Sequence, residues 1–200
     1  MRLVVGLGNP GSRYARNRHN IGFMAAEAIA RRYGFAAFRS RFKGELAEGV
    51  IGGERRLLLM PQTFMNLSGE SVLAAMSFYK IMPGEIIVIH DELDLRPGKV
   101  RVKRGGGNAG HNGLRSIDAM IGADFWRIRL GIGHPGVREL VHPYVLQNFP
   151  PDETKVWVAP LVDAVAEAIP VLLGGAPDAF MSEVARLCPA PPDADAEAPP

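Results

Sequence analysis

The chain has 200 residues, of which 47% are hydrophobic and 22% charged, enough to build one globular domain with a substantial core. Its single cysteine, Cys188, excludes an intramolecular disulfide and a cysteine-based metal centre, and it fits a reducing compartment. No apolar run approaches 18 residues, and the N-terminus lacks the layout of a signal peptide. We therefore expect a cytoplasmic protein that neither crosses nor binds a membrane.

Charge is distributed unevenly along the chain, although the formal net charge is only +2. Residues 1–43 carry nine Lys and Arg against one acid, and residues 96–117 carry six against none. Residues 151–200 carry nine acidic residues against two basic ones. A basic face of this kind is typical of a protein that binds a polyanion such as nucleic acid. An ordinary solvated surface is the alternative on charge alone.

Short apolar or alternating segments predict strands, and apolar residues at helical spacing predict helices. Strands are predicted at residues 2–8, 44–51, 55–60, 85–90, 99–103 and 125–132. Helices are predicted at residues 21–33, 68–79, 114–121 and 178–187. Ser68 is the predicted N-cap of the second helix. Residues 152–173 predict a pair of helices, because Pro160 and Pro170 should break a single one.

Strands and helices alternate along the chain, and no repeat or linker divides them. The pattern predicts a single α/β domain over residues 1–187, with a twisted, mixed and mostly parallel sheet flanked by helices. Residues 188–200 are rich in Pro, Ala and acidic residues, which cannot bury a core, and they predict a disordered tail. Residues 105–113 contain five glycines and predict a mobile loop.

The first predicted strand runs into a glycine-rich turn, Gly6-Leu-Gly-Asn-Pro-Gly11, which matches the dinucleotide-binding pattern Gly-x-Gly-x-x-Gly. That pattern needs a helix to begin at once, so that its amino end meets the pyrophosphate. Here Pro10 lies in the turn, and helical spacing begins only near His19. The acid expected after a second strand is also missing, because Glu27 lies within the first helix. An NAD-binding oxidoreductase is therefore the weaker interpretation.

His19 is the best candidate for a general base, because an imidazole titrates near neutral pH. A surface or helix-capping histidine is the alternative. Asp91 ends the most apolar strand, where a carboxylate can orient an imidazole and stabilise its protonated form. For Asp91, Glu92 and Asp94 the alternative is a solvated acidic turn or a metal site. We expect no metal, because no matching histidine or carboxylate motif accompanies them.

Three asparagines, Asn9, Asn66 and Asn112, lie in predicted loops at strand ends or helix starts. Singly, each is expected to cap or turn the chain. Together they can offer neutral donors and acceptors to a carbonyl or an amide. The chain has no Gly-x-Ser-x-Gly elbow, and Cys188 lies beside the tail, so a covalent nucleophile is unsupported. Water activated by His19 is the simpler chemistry.

Several motifs occur in order along the chain. They are Gly6-Leu-Gly-Asn-Pro-Gly11, Tyr14, Arg18-His-Asn-x-Gly22, Pro61-Gln-Thr-Phe-Met-Asn-Leu-Ser-Gly69, His90-Asp-Glu-Leu-Asp-Leu95, Gly105-Gly-Gly, Gly110-His-Asn-Gly113 and Arg129-Leu-Gly-Ile-Gly-His-Pro-Gly136. Together they resemble the bacterial peptidyl-tRNA hydrolases over about residues 2–187. Departures are small: Asn17 stands where the family often has threonine, and Asn108-Ala109 replace a more usual His-Gly.

The resemblance implies a single α/β domain that cuts the ester bond between a peptide and its tRNA, recycling tRNA from stalled translation. It implies peptidyl-tRNA as the partner, a monomer, and no metal or cofactor. A non-catalytic RNA-binding protein of the same fold is the rival. The presence of both His19 and Asp91 counts against that rival.

The resemblance also implies a role for each matching position. His19 would activate water, with Asp91 orienting it. The residues implied in substrate binding are Asn9, Tyr14, Met65, Asn66 and Asn112, the last holding the water or the developing oxyanion. Lys103 and Arg129 would contact tRNA phosphate. The alternation of residues agrees with this, since Arg127 and Arg129 share one face of a strand.

Overall fold

Seven strands form one mixed sheet in a computed structural model, which describes residues 3–192. The strands are β1 (Leu3–Gly6), β2 (Arg39–Arg41), β3 (Gly44–Ile51), β4 (Glu54–Pro61), β5 (Ile86–Glu92), β6 (Val100–Arg104) and β7 (Trp126–Gly131). Their order across the sheet is β2-β3-β4-β1-β5-β7-β6. Strands β4, β1, β5 and β7 run parallel, while β2, β3 and β6 pair antiparallel with their neighbours. The predicted fold class is confirmed.

Helices cover both faces of this sheet. They are α1 (Ile21–Arg32), α2 (Ser68–Tyr79), α3 (Asn112–Ile121), α4 (Val141–Val145), α5 (Pro151–Glu153), α6 (Ala159–Leu173) and α7 (Pro177–Leu187). Helices α1, α6 and α7 bury one apolar cluster against the sheet, and α2 and α3 bury another. Alternate residues of β5 serve the two faces: Ile86 and Val88 belong to the second cluster, Ile87 and Ile89 to the first.

Two glycines allow the first strand to lie directly against the first helix. A Cβ at Gly6 would lie 2.3 Å from the Gly22 carbonyl oxygen, and a Cβ at Gly22 would lie 2.4 Å from the Ile89 carbonyl oxygen. Both obstacles are backbone atoms, so larger side chains do not fit without moving the helix. Because α1 begins only at Ile21, well after Gly11, the glycine turn does not end in a helix that could bind pyrophosphate.

Residues 151–173 form one continuous helix, so the predicted break into a pair is wrong. A π-helical turn, Thr154–Val158, precedes Pro160, and its wider geometry makes room for a ring that would collide with an α-helical carbonyl. Pro170 has no N–H to donate to the Ala166 carbonyl. The hydroxyl of Tyr33, which directly follows α1, donates to that carbonyl oxygen at 3.0 Å, so the proline is accommodated near the helix end.

This helix is also longer and more apolar than expected, since by length and composition alone it could cross a membrane. Yet 61% of its most apolar stretch of 18 residues is buried inside the protein. Its residues Leu161, Val165 and Ile169 are fully buried in the cluster shared with α1 and α7. The helix is therefore part of the core of the domain.

Two further predictions concern helix and chain ends. Ser68 is not an N-cap, because α2 begins with it after a short 3-10 turn, and its hydroxyl donates to the Met65 carbonyl oxygen at 2.8 Å. The predicted tail at 188–200 lies mostly outside the described residues. Within the described part, Cys188 is buried, and the Pro191 carbonyl oxygen accepts a hydrogen bond from Arg96 at 3.1 Å.

Candidate active site

A cleft of about 1000 Å³ opens at the carboxyl ends of the parallel strands, the edge of a sheet at which loops from neighbouring strands converge. All the residues predicted for catalysis and substrate binding line it: Asn9, Tyr14, His19, Met65, Asn66, Asp91 and Asn112. The two predicted phosphate contacts, Lys103 and Arg129, lie on β6 and β7 and do not line this cleft. The structure therefore brings the first group together and places the second beside it.

Arg18 anchors the chain on one side of His19. Its guanidinium makes two hydrogen bonds to the Glu153 carboxylate, at 2.7 and 2.8 Å. It also stacks over the rings of Tyr144 and Phe149, 4.6 and 4.9 Å from their centroids. A bidentate pair that is also stacked holds a side chain in one geometry. Arg18 is thus a structural residue, and it fixes the backbone next to His19.

Asn20 anchors the chain on the other side of His19. Its Oδ1 accepts from the Asn9 N–H and its Nδ2 donates to the Asn9 carbonyl, both at 2.9 Å. Asn9 in turn uses its Oδ1 to accept from the Met65 N–H at 2.9 Å. The loop after β1, the turn after β4 and the histidine are therefore tied together by amide hydrogen bonds.

Asp91, near the end of β5, accepts hydrogen bonds from two imidazoles. His19 Nδ1 lies 2.9 Å from its Oδ1 and 3.0 Å from its Oδ2. His111 Nε2 lies 3.0 Å from the same Oδ1. With its Nδ1–H directed at the carboxylate, His19 carries its lone pair on Nε2. Since His19 lines the cleft, this nitrogen is the group able to take a proton there.

The tautomer of His111 is set by the helix that follows it. His111 is the N-cap of α3, and its Nδ1 accepts from the N–H groups of Gly113 and Leu114, at 3.1 and 3.3 Å. A nitrogen that accepts two backbone N–H groups cannot carry a proton. The proton of His111 is therefore on Nε2, which makes this residue a neutral donor to Asp91.

The two histidines determine the charge state of Asp91. The side chain is only 2% exposed, and burial by itself would raise its pKa. The interactions with His19 and His111 outweigh burial and hold the pKa of Asp91 well below its ordinary value. Asp91 therefore stays ionised at neutral pH and can stabilise a protonated His19.

A metal site is the alternative arrangement for the same three residues. Ligand atoms of His19, Asp91 and His111 lie within 4.8 Å of one another, which is close enough for a metal ion in distance alone. A metal on His111 Nε2 would require the proton to move to Nδ1, where it would meet two N–H donors of α3. The donor set therefore fits a chain of hydrogen bonds and does not fit a metal centre.

Lys103 and Arg129 lie on the antiparallel pair β6–β7, where Lys103 is opposite Arg127 and Arg129 is opposite Arg101. Arg129 Nε donates to Glu92 Oε2 at 2.8 Å, and Glu92 lines the cleft. Burial and the positive charges of Arg129 and Arg127 lower the pKa of Lys103. Arg127, predicted to share a face with Arg129, is completely buried and is not available to a ligand at the surface.

His111 lies in one of the motifs visible in the sequence, but no role was predicted for it. Its signal was its position directly before a predicted helix, where a side-chain acceptor is expected. Four further polar residues line the cleft and were also missed: Arg115, His134, Arg138 and His142. They come from α3 and from residues 133–146, segments whose approach to the cleft depends on the tertiary fold.

Comparisons with known proteins agree with this geometry. The family model for peptidyl-tRNA hydrolase matches residues 3–191. The peptidyl-tRNA hydrolases of Bradyrhizobium diazoefficiens and Rhodospirillum centenum are 61% and 57% identical to this chain, covering 92% and 94% of it and 91% and 82% of their own lengths. The crystal structure of the enzyme from Acinetobacter baumannii superposes with a TM-score of 0.88 at 43% identity, over 95% of this chain and 97% of that one. The chain belongs to the peptidyl-tRNA hydrolase family, of the bacterial type.

Proposed function

We propose that this chain hydrolyses peptidyl-tRNA with a water molecule activated by His19. Membership of the family makes the chain a peptidyl-tRNA hydrolase, and the roles of its individual residues are the proposal. The observation that carries it is the His19–Asp91 pair, with Nδ1 2.9 Å from the carboxylate and the imidazole lining the cleft. That arrangement leaves Nε2 as a base positioned for water.

In this mechanism, His19 Nε2 takes a proton from water as the water oxygen attacks the ester carbonyl carbon. The carbonyl oxygen becomes an oxyanion, and ionised Asp91 stabilises the positive charge on the imidazole. When the tetrahedral intermediate collapses, the bond to the ribose oxygen breaks. His19 returns its proton to that oxygen, so the products are a free peptide carboxylate and a tRNA with an intact terminal ribose.

Neutral amides hold the substrate in this proposal. Asn9 uses Oδ1 for the Met65 N–H, and its Nδ2 has no partner among residues 3–192, so it is the atom that can donate to a substrate carbonyl. Asn66 and Asn112 are exposed in the cleft, and we assign the first to the peptide and the second to the oxyanion. Met65 and Tyr14 supply the walls of the cleft.

Lys103 and Arg129 are proposed to bind tRNA phosphate beside the cleft. Support comes from their positions on the neighbouring strands β6 and β7 and from the lowered pKa of Lys103, which reflects burial and the positive charges of Arg129 and Arg127. A phosphate would relieve the repulsion among these cations. Arg129 would have to share its guanidinium between Glu92 and that phosphate.

We further propose that the chain works as a monomer in the cytoplasm, with residues 1–187 as its catalytic domain. Both faces of the sheet are covered by helices of the same chain, so the fold needs no second copy to complete its core. Light scattering of the purified protein tests this, with the mass of one chain expected.

The test of the mechanism is hydrolysis of peptidyl-tRNA in isotopically labelled water. The proposal predicts release of free tRNA without label and of peptide with one labelled oxygen in its carboxylate. Label in the ribose would contradict attack at the carbonyl. Binding of tRNA without release of peptide would favour the non-catalytic rival.

A further inference from the structure

A buried arginine lies beneath the glycine-rich loop at residues 105–111. Arg127 on β7 is 0% exposed, and its guanidinium lies over the Phe125 ring at 4.6 Å. Burial lowers its pKa, while the nearby Asp118 carboxylate acts in the opposite direction. A buried arginine is costly unless it is paired with acceptors, and here both terminal nitrogens are paired while Nε has no partner among the described residues. Its partners therefore indicate what it does.

Those partners belong to the loop and to α3. Nη1 of Arg127 donates to the Gly107 carbonyl oxygen at 2.7 Å. Nη2 donates to Asp118 Oδ1 at 2.9 Å. The other oxygen of Asp118 accepts from Asn108 Nδ2 at 3.4 Å. One guanidinium thus ties two consecutive loop residues to the helix, directly at Gly107 and through Asp118 at Asn108.

The loop has few other means of holding its shape. Gly105, Gly106, Ala109 and Gly110 all have positive φ, and at Ala109 this conformation costs energy because a side chain is present. Asn108 makes the final turn: its Oδ1 accepts from Gly110 N–H at 3.2 Å, and its carbonyl accepts from His111 N–H at 2.8 Å. The anchored asparagine is therefore the last fixed point before His111.

We infer that Arg127 is a positioning residue for hydrolysis, which acts by holding the loop 105–111 so that His111 can donate to Asp91. The path runs from Arg127 to Gly107 and Asp118, from there to Asn108, and from Asn108 to His111. Arg127 touches neither substrate nor reacting atoms. The inference rests on the proposed function only for the effect of Arg127 on turnover; the anchoring of the loop does not depend on it.

The consequence for catalysis follows from the size of positional effects. Displacing a catalytic group by about 1 Å can lower a rate by roughly 10²-fold. Loosening His111 should displace Asp91 and Asn112, which adjoin it in space and in sequence. A contact between Arg127 and tRNA phosphate would act differently, by weakening binding and flattening its salt dependence.

The experiment compares Arg127→Lys and Asp118→Asn with Arg104→Lys as a control. Lysine keeps the charge but cannot bond Gly107 and Asp118 together, because it lacks the planar fork of arginine. Arg104 lies on the neighbouring strand, and its exposed guanidinium pairs with Asp124. Asp118→Asn keeps the volume and tests the same anchor if Arg127→Lys does not fold.

Two measurements are made on each variant. In proton–nitrogen NMR spectra of the free protein, the His111 Nε2–H resonance, identified by its loss in His111→Asn, should exchange with water at least about tenfold faster in both test variants. In turnover assays, kcat should fall about tenfold or more while KM changes less than about threefold. The Arg104→Lys control should match the wild type in both.

Each alternative has its own signature. If the test variants raise KM, leave kcat unchanged and make log affinity for tRNA fall less steeply with log salt concentration, the inference is overturned in favour of a phosphate contact. A lower melting temperature with unchanged kcat and an unchanged His111 signal would overturn it in favour of a purely structural role. Because the NMR signal does not depend on turnover, a loss of that signal without a change in kcat would show that Arg127 holds His111 but that this contact does not serve hydrolysis. That result would overturn the inference, whereas the role of His19 as the base would stand or fall on its own variant.

Discussion

His111 donates its Nε2–H to Asp91 at 3.0 Å while its Nδ1 caps α3. One imidazole thus performs two tasks, which two substitutions separate. His111→Asn can keep the cap, since an asparagine oxygen also accepts from helix N–H groups, but it loses the contact with Asp91. His111→Ala loses both.

We expect kcat to fall about tenfold or more in both His111 variants, because Asp91 loses one of its two donors. Both variants lose the hydrogen bond to the buried Asp91, and His111→Ala should be less stable than His111→Asn by about a further 1 kcal/mol in unfolding free energy, because it also loses the cap. Steady-state turnover and denaturant unfolding measure the two effects. Equal stability of the two variants would show that His111 is not an effective cap.

His90 predicts an acid sensitivity of the fold. Burial is the main cause that lowers the pKa of His90 from 6.5 to about 3, and the neighbouring His111 and Arg127 act in the same direction. Between these values the unfolded chain binds a proton that the folded chain excludes. The free energy of unfolding that depends on neutral His90 is therefore fully present above pH 6.5. It is lost as the pH falls towards 3, by up to about 1.4 kcal/mol per pH unit.

His90→Asn, which stays neutral, should abolish this contribution. From pH 7 to pH 5 the wild type should lose about 2 kcal/mol more unfolding free energy than the variant. Urea unfolding at each pH gives the comparison, and His142→Asn, at an exposed position, is the control. Parallel pH profiles for wild type and His90→Asn would contradict the prediction.

Tyr33 supplies the donor that Pro170 removes from its own helix. Its hydroxyl donates to the Ala166 carbonyl oxygen at 3.0 Å. Tyr33→Phe leaves that buried carbonyl with one donor fewer and should lower the unfolding free energy by about 1 kcal/mol. Tyr79→Phe, whose hydroxyl bonds the solvated Glu48 carboxylate, should cost less.

A double-mutant cycle tests the link between tyrosine and proline. Pro170→Ala restores an N–H that can bond to Ala166 in the regular helical pattern. In that background the effect of Tyr33→Phe should shrink. An undiminished effect would mean that the tyrosine stabilises the helix by another contact.

The helix at 151–173 also shows a limit of sequence reasoning. Pro160 and Pro170 each remove an N–H donor, but neither breaks the helix, because a π-helical turn accommodates the first and the Tyr33 hydroxyl replaces the donor lost at the second. Tyr33 is far from Pro170 in sequence. Local rules do not include a donor that is brought in by tertiary packing.

The active site was predictable where chemistry and chain position coincide. His19 was a candidate because an imidazole titrates near neutral pH, and Asp91 was a candidate because it ends the most apolar strand. The structure joins them at 2.9 Å. His111 was missed because its pairing with Asp91 is visible only in the fold. The burial of Arg127 was not predicted, because strand alternation gives the face of a residue and not whether a loop covers that face.

Lys103 is expected to contribute to the salt dependence of tRNA binding. If it neutralises one phosphate, Lys103→Ala should lower the slope of log affinity against log salt by about one unit. Arg104→Ala is the matched control, because Arg104 is the next residue on β6 and is already paired with Asp124. An unchanged slope for Lys103→Ala would remove Lys103 from the phosphate site.

The central claim is that His19 Nε2 activates the attacking water. The direct measurement is the single-turnover rate of hydrolysis with saturating enzyme, for wild type and His19→Asn. Saturation removes differences in binding, so the rate reports the chemical step. The account predicts a rate at least about 10²-fold lower for the variant, and a rate within about tenfold of the wild type would contradict it.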